Sequence, residues 1–174
     1  LLLGQGSLST LLAPHRDHTD YQLLQEICFG SCRWFYSLKP ILNGLLSKPL
    51  KKKDQDVFAL LVIGLYQLRY MRIPDHAVLN ETVNATASLG KPWARGLVNA
   101  VLRNALRNDD AVEAQTHSDL GREYAHPAWL VESLAEAWPH QLQSVLNANN
   151  LRAPLTLRVN VQKTDRNTYL QALA

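Results

Sequence analysis

The sequence predicts an all-α fold, and three observations carry that prediction. Apolar residues recur at i, i+3 and i+4 through successive windows between Leu23 and Ala105. The breaks between windows hold Asp, Pro or Gly, the residues that start and stop helices. Only at Leu155 does the pattern change to an alternating one.

The elements follow in order. Asp20 stands where an N-cap belongs, ahead of Leu23, Leu24, Ile27, Cys28, Ser31, Trp34 and Phe35, which share one helical face. Pro40 is placed to open a short helix over Ile41 to Leu46, where its missing N–H costs little. Lys51-Lys52-Lys53 reads as a basic loop. Asp54 and Asp56 then open a helix that runs to about Tyr70 and is apolar almost all round, the mark of a central buried helix. Asp75 is expected to cap a helix with the core stripe Val78, Thr82, Ala85 and Leu89, ended by Gly90. Pro92 opens the next helix, Trp93 to Arg107, with Trp93, Leu97, Val98, Val101, Leu102 and Ala105 inward and Arg95, Asn99, Arg103 and Arg107 along another side.

Residues 108–125 form an acidic connection. Pro127 starts a helix over Ala128 to Ala137, and a shorter helix leads towards Ala148. Leu155 to Val161 alternates like a half-buried strand, and Thr164 or Asp165 caps a helix holding Tyr169, Leu170 and Leu173. The bundle is thus expected to be followed by the start of a small α+β unit, with the division at 1–125 and 126–174.

Composition narrows the function classes. With 47% hydrophobic and 19% charged residues over 174, the chain can bury a core, and disorder is excluded. Two cysteines cannot staple a disulfide scaffold, so a reducing, cytoplasmic setting is expected. The longest apolar run, Val57 to Tyr66, is about half of the ~20 residues that a membrane span needs, and no membrane partner is expected. Leu1-Leu2-Leu3 has no basic residues before it and is cut short by Gly4, so it is not read as a signal peptide.

Charge is unevenly spread. Arg33 to Arg107 carries twelve Lys and Arg against four acids, whereas Asp109 to Glu136 carries seven acids and one Arg. A basic lobe beside an acidic one suits a polyanion held on one face. The candidate contacts are Lys51, Lys52, Lys53, Arg69, Arg72, Arg95, Arg103 and Arg107, with Arg158 and Lys163 as a second cluster. Arginine forks match phosphate oxygens, and a row of them along a helix can follow a nucleic-acid backbone. A solvated helix face would carry the same residues, and the sequence leaves both open.

No catalytic constellation stands out. Cys28 and Cys32 share a helical face but lack the two further ligands of a metal site, so they read as core packing, and no metal is expected. His15-Arg16-Asp17-His18 lacks the context of a kinase catalytic loop, and His126-Pro127 reads as a packing or capping element. Gly4-Gln5-Gly6 is no dinucleotide loop.

From Tyr66 through the Ile73-Pro74 turn to Val83, the sequence resembles the NusB fold family. Gly96-Leu-Val-Asn-Ala-Val-Leu-Arg103, His126-Pro-Ala-Trp-Leu130 and Asn149-Asn150 leading into Leu155-Thr-Leu-Arg-Val-Asn160 resemble the narrower RsmB (Sun, Fmu) group of ribosomal RNA methyltransferases. Gly4-Gln-Gly-Ser-Leu8 and Leu24-Gln-Glu-Ile-Cys-Phe-Gly30 are similar to the first helices of that group. The resemblance covers nearly the whole chain in order. It implies a NusB-like domain, then a small α+β RNA-recognition region, then a methyltransferase domain that uses S-adenosylmethionine and two cysteines to methylate C5 of a cytosine in small-subunit ribosomal RNA. Cys28 and Cys32 lie outside the group's catalytic motifs and take no such role. The expectation is therefore the RNA-docking N-terminal portion of such an enzyme, a portion that by itself binds no S-adenosylmethionine and holds no catalytic residue. The alternatives are a stand-alone NusB-like antitermination module and a structural helical adaptor. Nothing in the sequence decides the oligomeric state.

Overall fold

The computed structural model describes residues 6–108, 114, 119–151 and 156–173. The helices are α1 (Leu8–Leu12), α2 (Tyr21–Arg33), α3 (Phe35–Leu45), α4 (Gln55–Tyr70), α5 (Asp75–Ser88), α6 (Arg95–Arg107), α7 (Leu120–Glu123), α8 (Ala128–Ala137), α9 (Leu142–Asn150) and α10 (Arg166–Leu173). Short 3-10 turns at Lys52–Asp54 and Pro92–Ala94 lead into α4 and α6.

α4 is the axis of the bundle, in contact with α2, α3, α5 and α6. Its sequence explains the placement: Val57, Leu61 and Leu65 are fully buried on one side, and Phe58, Leu60 and Val62 are buried on others. Leu38, Ile41 and Leu42 of α3 and Val98 and Leu102 of α6 complete the core. Each such side chain contributes about 1.5–3 kcal/mol by leaving water. Two glycines permit the close approaches. A Cβ on Gly30 would lie 2.0 Å from the Tyr66 ring, and one on Gly64 would lie 2.9 Å from Leu102. The Tyr66 hydroxyl, carried across Gly30, donates to Glu26 at 2.9 Å. Tyr70 stacks on Trp34 with ring centroids 4.4 Å apart.

Several expectations need correction. The face expected to run from Leu23 to Phe35 is interrupted at Trp34, where α2 ends and α3 begins. Pro40 lies inside α3 rather than at a helix start, where it has no N–H to offer the Tyr36 carbonyl. Asp20 and Asp54 occupy the N-cap positions of α2 and α4, but neither side chain makes the capping bond. Asp75 is the first helical residue of α5, behind Pro74. The buried stripe of α5 is Val78, Leu79, Thr82, Val83 and Thr86, and Leu89 is exposed. Trp93 is 56% exposed, and the neighbouring Ala94 takes the buried place. A small residue fits there because α6 begins only after the 3-10 turn, which rotates Trp93 off the inward face. Cys28 is only half-buried and Cys32 is exposed, so the pair is not core. Burial nonetheless raises the pKa of both thiols, with Cys32 adding to the effect on Cys28.

Gly90 ends α5 as expected. It has φ +68°, its N–H bonds Ala87 O, and the Lys91 N–H bonds Thr86 O at 2.9 Å, the paired bonds of a Schellman ending. That turn delivers Lys91 to Asp54 at 2.9 Å, to Asp56 at 2.6 Å and to the Lys53 carbonyl at 2.5 Å. The head of α6 is thereby tied to the head of α4. The bond from Lys91 holds the Asp56 carboxyl below its usual range, and that same bond raises the pKa of Lys91.

Beyond the bundle, the Ser37 hydroxyl of α3 donates to the Arg122 carbonyl of α7. His126 is a packing element, as expected: Nδ1 bonds the Tyr124 carbonyl and Nε2 meets the Asn149 amide at 3.4 Å, while Asn150 donates to the same Tyr124 carbonyl at 2.6 Å. Pro127 is the N-cap residue of α8. The expected strand is not formed: residues 156–160 carry no ladder, and no strand pairs among the described residues. A strand needs a partner edge for its N–H and C=O groups, and the described residues supply none. The expected cap of the following helix does form, with Asp165 accepting from the N–H groups of Asn167 at 2.8 Å and Thr168 at 3.0 Å. The Thr168 hydroxyl, with those N–H groups, keeps the Asp165 carboxyl below its ordinary pKa. Leu155 and the expected connection over 109–113 and 115–118 lie outside the described residues.

Candidate nucleic-acid interface

The exposed side of α6 is set by its sequence. Val98, Val101, Leu102 and Ala105 are buried, which turns Arg95, Arg103 and Arg107 to solvent with Asn99 partly covered between them. The Arg103 Nε donates to the Asn99 Oδ1 at 3.0 Å, fixing the guanidinium along the helix. Arg95, Gly96, Asn99 and Arg103 face Asp75, His76, Leu79, Asn80 and Val83 of α5 across a groove of about 840 Å³. A smaller hollow of about 350 Å³ beside it is lined by Ala100, Arg103, Leu106 and Arg107. Arg103 belongs to both. Along α5 the amides are linked: Asn84 donates to Asn80 at 3.3 Å, and Asn80 donates to Glu81 at 3.1 Å.

Gly96 stands out in this groove. A Cβ built there meets nothing within 4 Å, and its backbone is not in the left-handed region. Neither packing nor conformation calls for glycine, although alanine would favour the helix by as much as about 1 kcal/mol.

The other expected contacts are placed differently. Lys51, Lys52 and Lys53 are exposed on the turn before α4, near the head of α6 through the Lys91 bond to the Lys53 carbonyl. Arg72 is exposed beyond α4, but Arg69 is half-buried, with its guanidinium against the Tyr70 hydroxyl. Burial outweighs that cation, so the Tyr70 pKa is raised. Arg158 and Lys163 are exposed on the segment after α9 and do not line the groove. His76, Asn80 and Gly96 are groove residues that reading the charged positions alone overlooks. The i, i+4 spacing of His76 and Asn80 on one helix face is the signal that could have found them.

Among the described residues no group of three or more His, Cys, Asp or Glu could hold a metal ion. No helix in the same residues is long and apolar enough to cross a membrane.

A family model described as "NusB family" matches residues 5–107, and one described as "Methyltr_RsmF/B-like, ferredoxin-like domain" matches residues 126–174. The chain is similar to the probable ribosomal RNA small subunit methyltransferase B of Coxiella burnetii, 43% identical over 96% of this chain and 38% of that protein. It is 44% identical to the ribosomal RNA small subunit methyltransferase B of Pseudomonas syringae, over 99% of the chain and 39% of the relative. The Vibrio cholerae protein of that name is 48% identical over 88% and 35% respectively. The chain therefore spans between 35% and 39% of the length of these curated relatives.

Proposed function

The chain belongs to the NusB family, and from that premise we propose that it is the RNA-docking portion of a ribosomal RNA small-subunit methyltransferase that acts in the cytoplasm. The observation that carries this reading is the solvent-facing set Arg95, Arg103 and Arg107 with the partly covered Asn99 between them, aligned by the core stripe of the same helix. Three guanidinium forks along one face can meet successive phosphates, each releasing a counterion. The relatives' printed names supply the substrate class, small-subunit ribosomal RNA. The ferredoxin-like match over residues 126–174 favours this reading over a stand-alone antitermination module. On it, residues 1–125 form the helical docking domain, and 126–174 contribute to an RNA-recognition region with Arg158 and Lys163 as its contacts.

The parent reaction in this proposal is transfer of a methyl group from S-adenosylmethionine to C5 of cytosine. That cofactor is ordinarily held by a glycine-bearing turn at the carboxyl edge of a parallel sheet. The described residues include no such turn and do not fit the cofactor, so no step of the chemistry is assigned to them. Their part is to bind and orient the RNA.

The test is fluorescence anisotropy of the 174-residue chain with a labelled helix of small-subunit ribosomal RNA. Replacing Arg95, Arg103 and Arg107 together by Ala should weaken binding about 100-fold at low salt, with the circular dichroism unchanged. Undiminished affinity would remove these residues from the interface. Calorimetry with S-adenosylmethionine should give no heat of binding, and clear binding would contradict the division of labour.

A further inference from the structure

We propose that the groove between α5 and α6 admits an unpaired RNA nucleotide, with phosphates on Arg95 and Arg103 and the base against Asn80, Asn99 and His76. This deepens the RNA-docking reading above and rests on it.

Three observations point to a nucleotide rather than to duplex backbone. The groove is concave, about 840 Å³, and its α6 wall sets the Asn99 amide between the Arg95 and Arg103 forks, facing Asn80 and the apolar Leu79 and Val83 of α5. Amides donate and accept at once, which is what the edges of unpaired bases require, whereas paired bases in A-form RNA are stacked inside a narrow, deep major groove. Asn99 commits its oxygen to Arg103 at 3.0 Å, which leaves its NH2 as the group it can offer to a base. His76 adds a ring of the kind on which bases stack. Charge agrees as well, since Arg95 and Arg103 outnumber the one carboxylate in the lining, Asp75.

Gly96 is the independent observation. It lines the groove, no neighbouring atom requires the absence of its side chain, and its φ is ordinary. A glycine that neither turns the chain nor packs against anything is explained by close approach of a ligand to the backbone at that point. Any larger residue would fill the space that the nucleotide takes.

Gly96 also supplies the test, because a Cβ added there meets no neighbouring atom within 4 Å. Anisotropy is measured with a short fluorescein-labelled single-stranded RNA and with a duplex of equal length, using the whole chain and the variants Gly96→Ala and Gly96→Leu. The wild-type chain should prefer the single strand by about tenfold, as expected when one base is bound by stacking and edge contacts. Gly96→Leu should lose about that factor for the single strand and leave duplex binding unchanged. Gly96→Ala should fall between, and neither variant should melt earlier than wild type. Equal affinity of Gly96→Leu and wild type for the single strand would overturn the inference. Equal binding of single strand and duplex would overturn it while sparing RNA docking by the arginine row. Failure of the wild-type chain to bind either RNA at low salt would overturn both.

Discussion

Residues 21–107 and residues 119–173 are both largely helical, yet they bury their apolar side chains very differently. In the first region α4 is surrounded by four helices, and Leu38, Leu42, Leu61 and Leu102 are completely inaccessible. Among the described residues of the second region only Ala125 and Leu146 are buried, while Trp129 is 66% and Trp138 is 53% exposed. The difference lies in the companions available to each helix. An amphipathic helix is stabilised mainly by what it packs against: α2 to α6 cover one another's apolar faces, whereas Trp129 of α8 and Leu170 and Leu173 of α10 stay exposed.

Substitutions in the two regions should differ accordingly. Leu61→Ala removes a side chain from the centre of α4 and should cost about 2–5 kcal/mol in urea unfolding. Leu170→Ala in α10 should change global stability by less than about 0.5 kcal/mol. Equal losses would mean that α10 is as tightly integrated as α4. Next in size, Gly30→Ala places a Cβ against the Tyr66 ring and should cost about 1–3 kcal/mol through the displaced tyrosine. Its signature is loss of the Tyr66–Glu26 bond, visible as increased hydrogen exchange at the α2–α4 contact.

The smallest effects are electrostatic. Asp56 has a depressed pKa, so its contribution from Lys91 is present above the unfolded value of about 3.9 and fades as pH falls through the lower folded value. Lys91 has a raised pKa, so its contribution is complete below about 10.4 and is lost as pH rises through the higher folded value. Lys91→Met should therefore lower Tm by a few degrees at neutral pH, with the gap to wild type closing in acid. A gap that persists when both carboxylates are protonated would show that the lysine acts through its stem instead.

The bundle was legible because its helices obey one rule each. The near-continuous apolar run of α4, the Gly90 stop and the inward stripe of α6 can all be read from spacing. Trp93 was misplaced because a 3-10 turn, not an α-helix, carries it, and periodicity does not distinguish the two over three residues. The α5 stripe is shifted because α5 packs against both α4 and α6, which buries Leu79, Val83 and Thr86 beside Val78 and Thr82, a choice made by tertiary packing. The alternating stretch forms no strand over its described residues, 156–161, for a different reason: alternation describes a segment ready to pair, and no described residue supplies the partner edge. At the candidate interface the arginine row was visible from i, i+4 spacing. The i, i+4 spacing of His76 and Asn80 puts them on one face of α5, but that this face is the wall opposite the arginines depends on how α5 lies against α6.

The central claim, that the α6 arginines grip RNA phosphates, is tested most directly by the salt dependence of binding. Affinity of the chain for single-stranded RNA, measured across a series of salt concentrations, should fall linearly on logarithmic axes. Replacing Arg95, Arg103 and Arg107 with Ala should reduce that slope by about two, from roughly 0.7 for each lost phosphate contact. An unchanged slope would show that the phosphates are held elsewhere on the molecule.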